Sequence, residues 1–258
     1  MILAIDVGNT ETTLGLFEGE TMRAHWRIVT ESARTPDELG LQLRALLASY
    51  PDAPRAVRAV AIGSVVPALT GALAEASETW LHARVIVVDA RSPLPIRLQV
   101  DEPLTVGADR LINTLAASRI YHRDTIVVDF GTATTYDCIT ADGVFLGGII
   151  APGIRTSAET LIRRTSKLPA TELDIPPRAI GTRTEDCIRA GVMFGAADAL
   201  DGLVRRIKRE WPTPAVPQVI ATGGLAATIA PLSTEIDAVD THLTLQGLRI
   251  AYDLLAGD

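Results

Sequence analysis

Short apolar runs rich in β-branched residues recur along the chain, each bounded by turn-forming or polar residues. Those at Ile2–Val7, Ala59–Ser64, 85–89, 125–129 and 218–221 carry almost no polar alternation, which predicts strands buried on both faces. Between them the apolar positions fall at helical spacing. Thr35-Pro36-Asp37-Glu38 supplies an N-cap, a proline in the first turn and two acids, and predicts a helix to Ala48. Pro67 opens a second helix to about residue 82. A third covers 109–121, with Leu111, Ile112, Leu115, Ala116 and Ile120 on one broad side. The longest covers about 184–211. The proline-bearing stretch 167–181 predicts a loop. Strands alternating with helices define an α/β fold.

Composition sharpens this picture. With 47% hydrophobic residues in 258 the chain can fill substantial cores, and with only 4% aromatic residues it must fill them with Ala, Val, Leu and Ile. A net charge of -7 and a pI near 5.2 argue against a nucleic-acid protein, which would carry a basic face. The basic run at Arg205, Arg206, Lys208 and Arg209 suits the C-terminal end of the longest helix. Two cysteines, Cys138 and Cys187, stand far from any CxxC spacing and are expected to be small buried hydrophobes. The four histidines lie apart, with no metal-ligand or triad spacing. The first residues do not form a signal peptide, and no run reaches the roughly 18–20 apolar residues of a membrane span. A cytoplasmic protein without membrane or nucleic-acid partners is expected.

The chain also echoes itself. Ile5-Asp6-Val7-Gly8-Asn9-Thr10-Glu11-Thr12 is matched, about half a chain later, by Val128-Asp129-Phe130-Gly131-Thr132-Ala133-Thr134-Thr135. In each, a strand ends in Asp-x-Gly, a run of small polar residues comes next, and a hairpin-like stretch turns at Gly19 or Gly143. Duplication is expected, with one domain over 1–110 and the other over 111–258. A glycine after the strand lets backbone amides approach an anion, and successive amides make a phosphate nest. Thr10, Thr12 and Thr13 add hydroxyls. Asp6 suits the magnesium that accompanies ATP. An ordinary hairpin turn with an Asx hydrogen bond is the alternative for one copy alone. Neither a Walker A loop nor a Rossmann fingerprint is present.

Asp-x-Gly-x-Thr after a first strand, repeated in a second domain, resembles the actin–hexokinase–sugar kinase superfamily. That implies duplicated ribonuclease-H-like domains with ATP in a cleft between them. Thr222-Gly223-Gly224, after a strand, fits the turn that contacts adenosine there, or is a plain strand-to-helix turn. Asp109 and Arg110, in Gly107-Ala108-Asp109-Arg110, stand at a helix start, where an arginine is unfavourable on dipole grounds. Asp109 either caps the helix or accepts the proton of a substrate hydroxyl. Arg110 would pair with a substrate carboxylate or with the moving phosphate. Together with Ser64-Val65-Val66-Pro67, 147–153 and Asp240-Thr241-His242, these motifs resemble, in order and over residues 1 to about 255, the type III pantothenate kinases.

The family resemblance implies specific roles. Asp6, Val7, Gly8, Asn9, Thr10, Glu11, Thr12 and Thr13 would bind ATP, with Thr132 adding a contact. Gly107, Ala108, Asp109 and Arg110 would bind pantothenate, Asp109 as proton acceptor. Asp129 would hold a monovalent cation, potassium or ammonium, and Asp6 the magnesium of ATP. Thr184 would reach pantothenate from the partner subunit of a homodimer, and could also be a helix N-cap. One departure is Val100, where the family often has a tyrosine in the pantothenate pocket. Gly191 and Gly195 in the longest helix suggest close packing, within the chain or across a dimer. Another small-molecule kinase of the superfamily, or a non-catalytic ATP-binding regulator, would share most of these motifs.

Overall fold

The computed structural model describes residues 1–50 and 56–257. The described residues form eleven strands: β1 (Ile2–Val7), β2 (Glu11–Glu18), β3 (Thr21–Val29), β4 (Ala59–Ser64), β5 (Arg84–Val88), β6 (Arg97–Leu98), β7 (Thr125–Phe130), β8 (Ala133–Ile139), β9 (Val144–Pro152), β10 (Gln218–Gly223) and β11 (Ala238–Val239). The helices are α1 (Pro36–Ala48), α2 (Pro67–Leu81), α3 (Ala108–Tyr121), α4 (Ile154–Arg163), α5 (Thr184–Glu210), α6 (Ala226–Ile229) and α7 (Leu243–Leu255).

Two compact units result, one of residues 1–120 with 243–258, the other of residues 121–242. The sheet of unit 1 runs β3-β2-β1-β4-β5, and the strands of unit 2 run β9-β8-β7-β10-β11. In both, the first three strands form an antiparallel meander and the last two add in parallel. Even a register irregularity recurs, at Leu16/Phe17 in one meander and at Cys138/Ile139 in the other. The expected α/β duplication is therefore present strand by strand.

In unit 1 the sheet is covered on both faces. Leu3, Ile5 and Val7 of β1, with Val60 and Ile62 of β4, pack on Leu39, Leu43 and Leu47 of α1 and Leu69 and Leu73 of α2. The alternate residues Ala4 and Ala61 face Ala108, Ile112 and Leu115 of α3 and Leu245, Leu248 and Ala251 of α7. Successive strand residues point to opposite faces, so a strand buried on both reads as an unbroken apolar run. In unit 2, Ile126, Val128, Phe130, Val219 and Ala221 pack on α4, α5 and α6 through Ile154, Met193, Leu200, Val204 and Ala226.

Helix α1 starts as its sequence predicts. The Thr35 hydroxyl accepts from the Glu38 amide at 3.3 Å, and the Glu38 carboxylate accepts from the Thr35 amide at 2.8 Å, a reciprocal capping box. Three expectations differ from the fold. The division by contacts does not follow a cut at residue 110, because α7 returns to unit 1 and packs on β1 and β4. Cys187 is exposed, and only Cys138 is buried. A Cβ on Gly191 or Gly195 would meet nothing within 4 Å, so packing inside the chain does not account for either glycine.

Candidate functional site

The first loop joins β1 to β2. Register pairs Asp6 with Thr13 and Val7 with Thr12, leaving Gly8, Asn9 and Thr10 as the turn. The turn is closed by the Gly8 amide donating to the Glu11 carbonyl at 3.0 Å. Asn9 and Thr10 are exposed, Asp6, Glu11 and Thr13 half-buried, and Val7 and Thr12 buried. Thr30, directly after β3, braces the turn. Its hydroxyl donates to the Gly8 carbonyl at 2.8 Å, and its amide donates to the Thr10 carbonyl at 2.9 Å. With its proton committed to Gly8, the Thr30 oxygen receives the Thr12 hydroxyl at 2.9 Å. The Thr12 hydroxyl thus helps to hold the loop. Asn9 and Thr10 form the exposed tip.

The second loop joins β7 to β8. Asp129 pairs with Thr135, so the turn is Gly131 and Thr132, both exposed. The Gly131 amide donates to the Ala133 carbonyl at 3.0 Å. Here the Thr132 carbonyl receives both the Gly153 amide at 3.1 Å and the Thr156 hydroxyl at 2.8 Å. Gly153 directly follows β9, as Thr30 directly follows β3. A Cβ on Gly153 would overlap the Thr132 carbonyl and stand 2.6 Å from the Gly131 carbonyl, so this close approach needs glycine.

Asp129 sits beside the glycine turn of β10. Thr222 is its registered neighbour, and Gly223 pairs with Phe130. Gly223 has φ +87, and a Cβ there would overlap Asp129 Oδ1 and lie 2.7 Å from the Phe130 amide nitrogen. A Cβ on Gly131 would stand 4.0 Å from the same oxygen, an ordinary contact. A carboxylate bounded by glycine backbone leaves space that a side chain would fill, and it offers the hard oxygen donors an alkali cation needs.

The third constellation is the start of α3. Asp109 is the second helical residue, and its Oδ1 accepts from the Arg110 amide at 2.9 Å. It lies so close over Gly107 that a Cβ there would be 2.5 Å from the same oxygen. Burial pushes the Asp109 carboxyl above the ordinary aspartate range, against the opposing pull of the Arg110 amide and guanidinium. Next to it a cavity of about 310 Å³ is lined by Ser64, Val65, Asp89, Ala90, Arg91, Leu104, Val106, Gly107 and Ala108. Its floor is built by the ends of β4 and β5. Ser64 fixes the β4 exit, its hydroxyl accepting from the Val66 amide at 3.0 Å, while the Val65 amide donates to the Val7 carbonyl at 3.0 Å. The bond from Val65 to Val7 ties the cavity to the first loop.

Thr184 is exposed as the first residue of α5. The cap position is Arg183, whose side chain makes no capping bond, so the N-cap alternative for Thr184 does not hold. Thr184 lines a separate open cavity of about 410 Å³ with Lys167, Pro169, Arg183 and Glu185. Each unit therefore brings its own predicted residues together: loop 6–13 and residues 107–110 in unit 1, Asp129 with Thr132 and the Gly223 turn in unit 2. Sequence reasoning missed Thr30 and Thr156, which brace the loops, and Asp89 and Arg91 at the cavity. Extending the echo through the third strand of each meander would have placed Thr30 opposite Gly153.

The fold and these sites define the class of protein. It is the duplicated ribonuclease-H-like fold of the actin–hexokinase–sugar kinase superfamily. The solved structure of (R)-2-hydroxyglutaryl-CoA dehydratase component A from Acidaminococcus fermentans shares it, with a TM-score of 0.58 at 14% identity over 99% of each chain. The family model described as type III pantothenate kinase matches residues 2–206. A type III pantothenate kinase of Anaeromyxobacter sp. (strain K) is 45% identical, over 98% of this chain and 99% of its own. One from Thermomicrobium roseum is 44% identical, over 98% and 97%. The chain belongs to the type III pantothenate kinase family.

Proposed function

We propose that this protein transfers the γ-phosphate of ATP to the primary hydroxyl of pantothenate, forming 4'-phosphopantothenate in the first step of coenzyme A biosynthesis. The observation that carries this within the family is Asp109, held at the start of α3 against a cavity large enough for a small molecule. Its carboxyl is raised by burial, which makes it a better proton acceptor than an exposed aspartate. As the substrate oxygen bonds to the γ-phosphorus and the bond to the leaving ADP breaks, the hydroxyl proton passes to Asp109. Transfer of this kind runs through a loose transition state, so alignment and charge neutralisation dominate.

The remaining roles are assigned from the residues. The tip formed by Gly8, Asn9 and Thr10 takes phosphate oxygens through amides and hydroxyl, and Asp6 orients the magnesium carried by ATP. Thr132 supplies a second phosphate contact, and Gly107 to Arg110 hold pantothenate. Asp129, with glycine backbone around its carboxylate, suits potassium or ammonium. The enzyme works as a cytoplasmic homodimer in which Thr184 of each copy serves the partner's substrate. The open space over Gly191 and Gly195 of α5 supports a close helix contact there.

The test is a coupled assay of ADP release, with the product identified by mass. ADP release is expected to depend on pantothenate and to rise when potassium replaces sodium. ATP turnover indifferent to pantothenate would overturn the activity. Asp129→Asn is expected to lose the potassium stimulation, and retention of it would remove the cation from Asp129.

A further inference from the structure

The proposed reaction leaves two arginines near one substrate, Arg110 on α3 and Arg91 on the segment after β5. Pantothenate has one carboxylate, at the end opposite the reacting hydroxyl. Arg110 directly follows the base, and its Nη2 is shut off from solvent. Arg91 stands apart, exposed, on the wall of the cavity that Gly107 and Ala108 also line. Among the described residues lining that cavity, Arg91 is the one cation.

The segment carrying Arg91 is built. The Asp89 carboxylate accepts from the Arg91 amide at 2.8 Å, and the Asp89 amide donates to the Ser92 hydroxyl at 3.0 Å. The Ser92 amide returns to the Asp89 carbonyl at 3.1 Å. This closed turn fixes the Arg91 backbone at the end of β5 and directs the Asp89 carboxylate to an amide. The guanidinium of Arg91 makes no ion pair among the described residues. The cavity thus joins a cation, Arg91, to Gly107 and Ala108, the two residues that directly precede the proton acceptor Asp109, and the one carboxylate in its lining, Asp89, is engaged by the Arg91 amide.

We infer that Arg91 is the residue that reads the carboxylate of the substrate and so sets the preference for an acid over its neutral analogues, while Arg110 holds the substrate beside the base at the hydroxyl end. This rests on the assignment of Asp109 to the hydroxyl. A guanidinium suits the task because it presents paired donors to a carboxylate.

The experiment compares pantothenate with pantothenol, in which CH2OH replaces the carboxylate, as substrates of the full-length protein. In the wild type the ratio of kcat/KM for pantothenate to that for pantothenol is expected to be well above one and to fall with added salt, because an exposed charge contact is screened. In Arg91→Ala that ratio is expected to fall about five- to tenfold, the scale of a charge-assisted contact in a partly exposed site, and to lose its salt dependence. Arg91→Lys should restore part of it. An Arg91→Ala ratio equal to that of the wild type overturns the inference, and so does the same fall in Arg110→Ala with none in Arg91→Ala. Wild-type protein that turns over neither compound would instead overturn the kinase assignment, a result distinct from either.

Discussion

In unit 1 the turn after the first strand holds three residues, 8–10; in unit 2 its counterpart holds two, Gly131 and Thr132. Both are tied down by the residue directly after the third strand, but by opposite means. Thr30 reaches the Gly8 carbonyl with a side chain, whereas Gly153 reaches the Thr132 carbonyl with its own amide, so close that no side chain fits. In the longer turn Asn9 and Thr10 are exposed. The shorter one is packed against backbone, with Asp129 enclosed by Gly131 and Gly223. One duplicated hairpin thus carries a longer turn braced by a side chain in one copy and a shorter turn braced by backbone in the other.

In the proposed mechanism the base belongs to neither hairpin, and the largest effect tests this. Asp109→Asn is expected to lower kcat by about 10²–10⁴-fold with the KM for ATP little changed. If Asp6→Asn produced that loss and Asp109→Asn did not, the base would lie in the first hairpin. The next effect separates the two turns. Gly153→Ala and Gly223→Ala each force a Cβ onto backbone atoms and should cost roughly 2–4 kcal/mol in denaturant unfolding. Gly8→Ala meets a single carbonyl, that of Glu11, at 2.9 Å, and should cost about 1 kcal/mol while raising the KM for ATP. Equal costs at all three positions would erase the distinction between an open and a packed turn.

A smaller effect addresses the braces. Thr30→Val removes two hydroxyl bonds and should cost roughly 1–2 kcal/mol, whereas Thr156→Val removes one and should cost about 1 kcal/mol. Thr30→Val should raise the KM for ATP severalfold, more than Thr156→Val, because the first turn carries most of the proposed phosphate contacts. Elsewhere in unit 2, Asp201 provides a calibration. Burial raises its carboxyl, yet bonds from the Ser233 and Thr234 hydroxyls and the Thr234 and Glu235 amides outweigh burial and hold it below the ordinary value. Asp201→Ala should cost about 2–4 kcal/mol above the ordinary aspartate pKa, and less as pH falls through the depressed one.

Much of this was legible in the sequence, for identifiable reasons. Strands β1 and β4 are apolar throughout because helices cover both faces of their sheet. Helix α1 carries its capping box in Thr35 and Glu38. The two acids and their glycines announced the duplication. Helix α4 escaped notice because it follows Gly153, which offers no side-chain cap, and its first residue, Ile154, is followed by the polar Arg155, Thr156 and Ser157. The return of α7 to unit 1 is a tertiary contact that chain order does not encode. Thr12 looked like a phosphate ligand because its type and place fit, and only the third strand reveals that Thr30 already receives its hydroxyl. Asp89 and Arg91 went unread because they reach the cavity from a segment remote from Gly107 in sequence.

The smallest effect concerns the same aspartate as the largest. Burial raises the Asp109 carboxyl, so the folded chain holds its proton to higher pH than the unfolded chain does. Between the unfolded and folded pKa values the native state binds more protons, and stability therefore falls as pH rises through that window. Above it the ionised, half-buried carboxylate is a standing cost. An asparagine in its place keeps an oxygen to accept from the Arg110 amide and carries no charge to desolvate. Asp109→Asn should therefore raise Tm at neutral pH by a few degrees at most, and the gain should vanish in acid, where the wild-type carboxyl is protonated in both states. A catalytic group that destabilises the fold holding it is a common consequence of function. A variant with unchanged Tm at both pH values would show that the Arg110 charge offsets the burial of Asp109 in full.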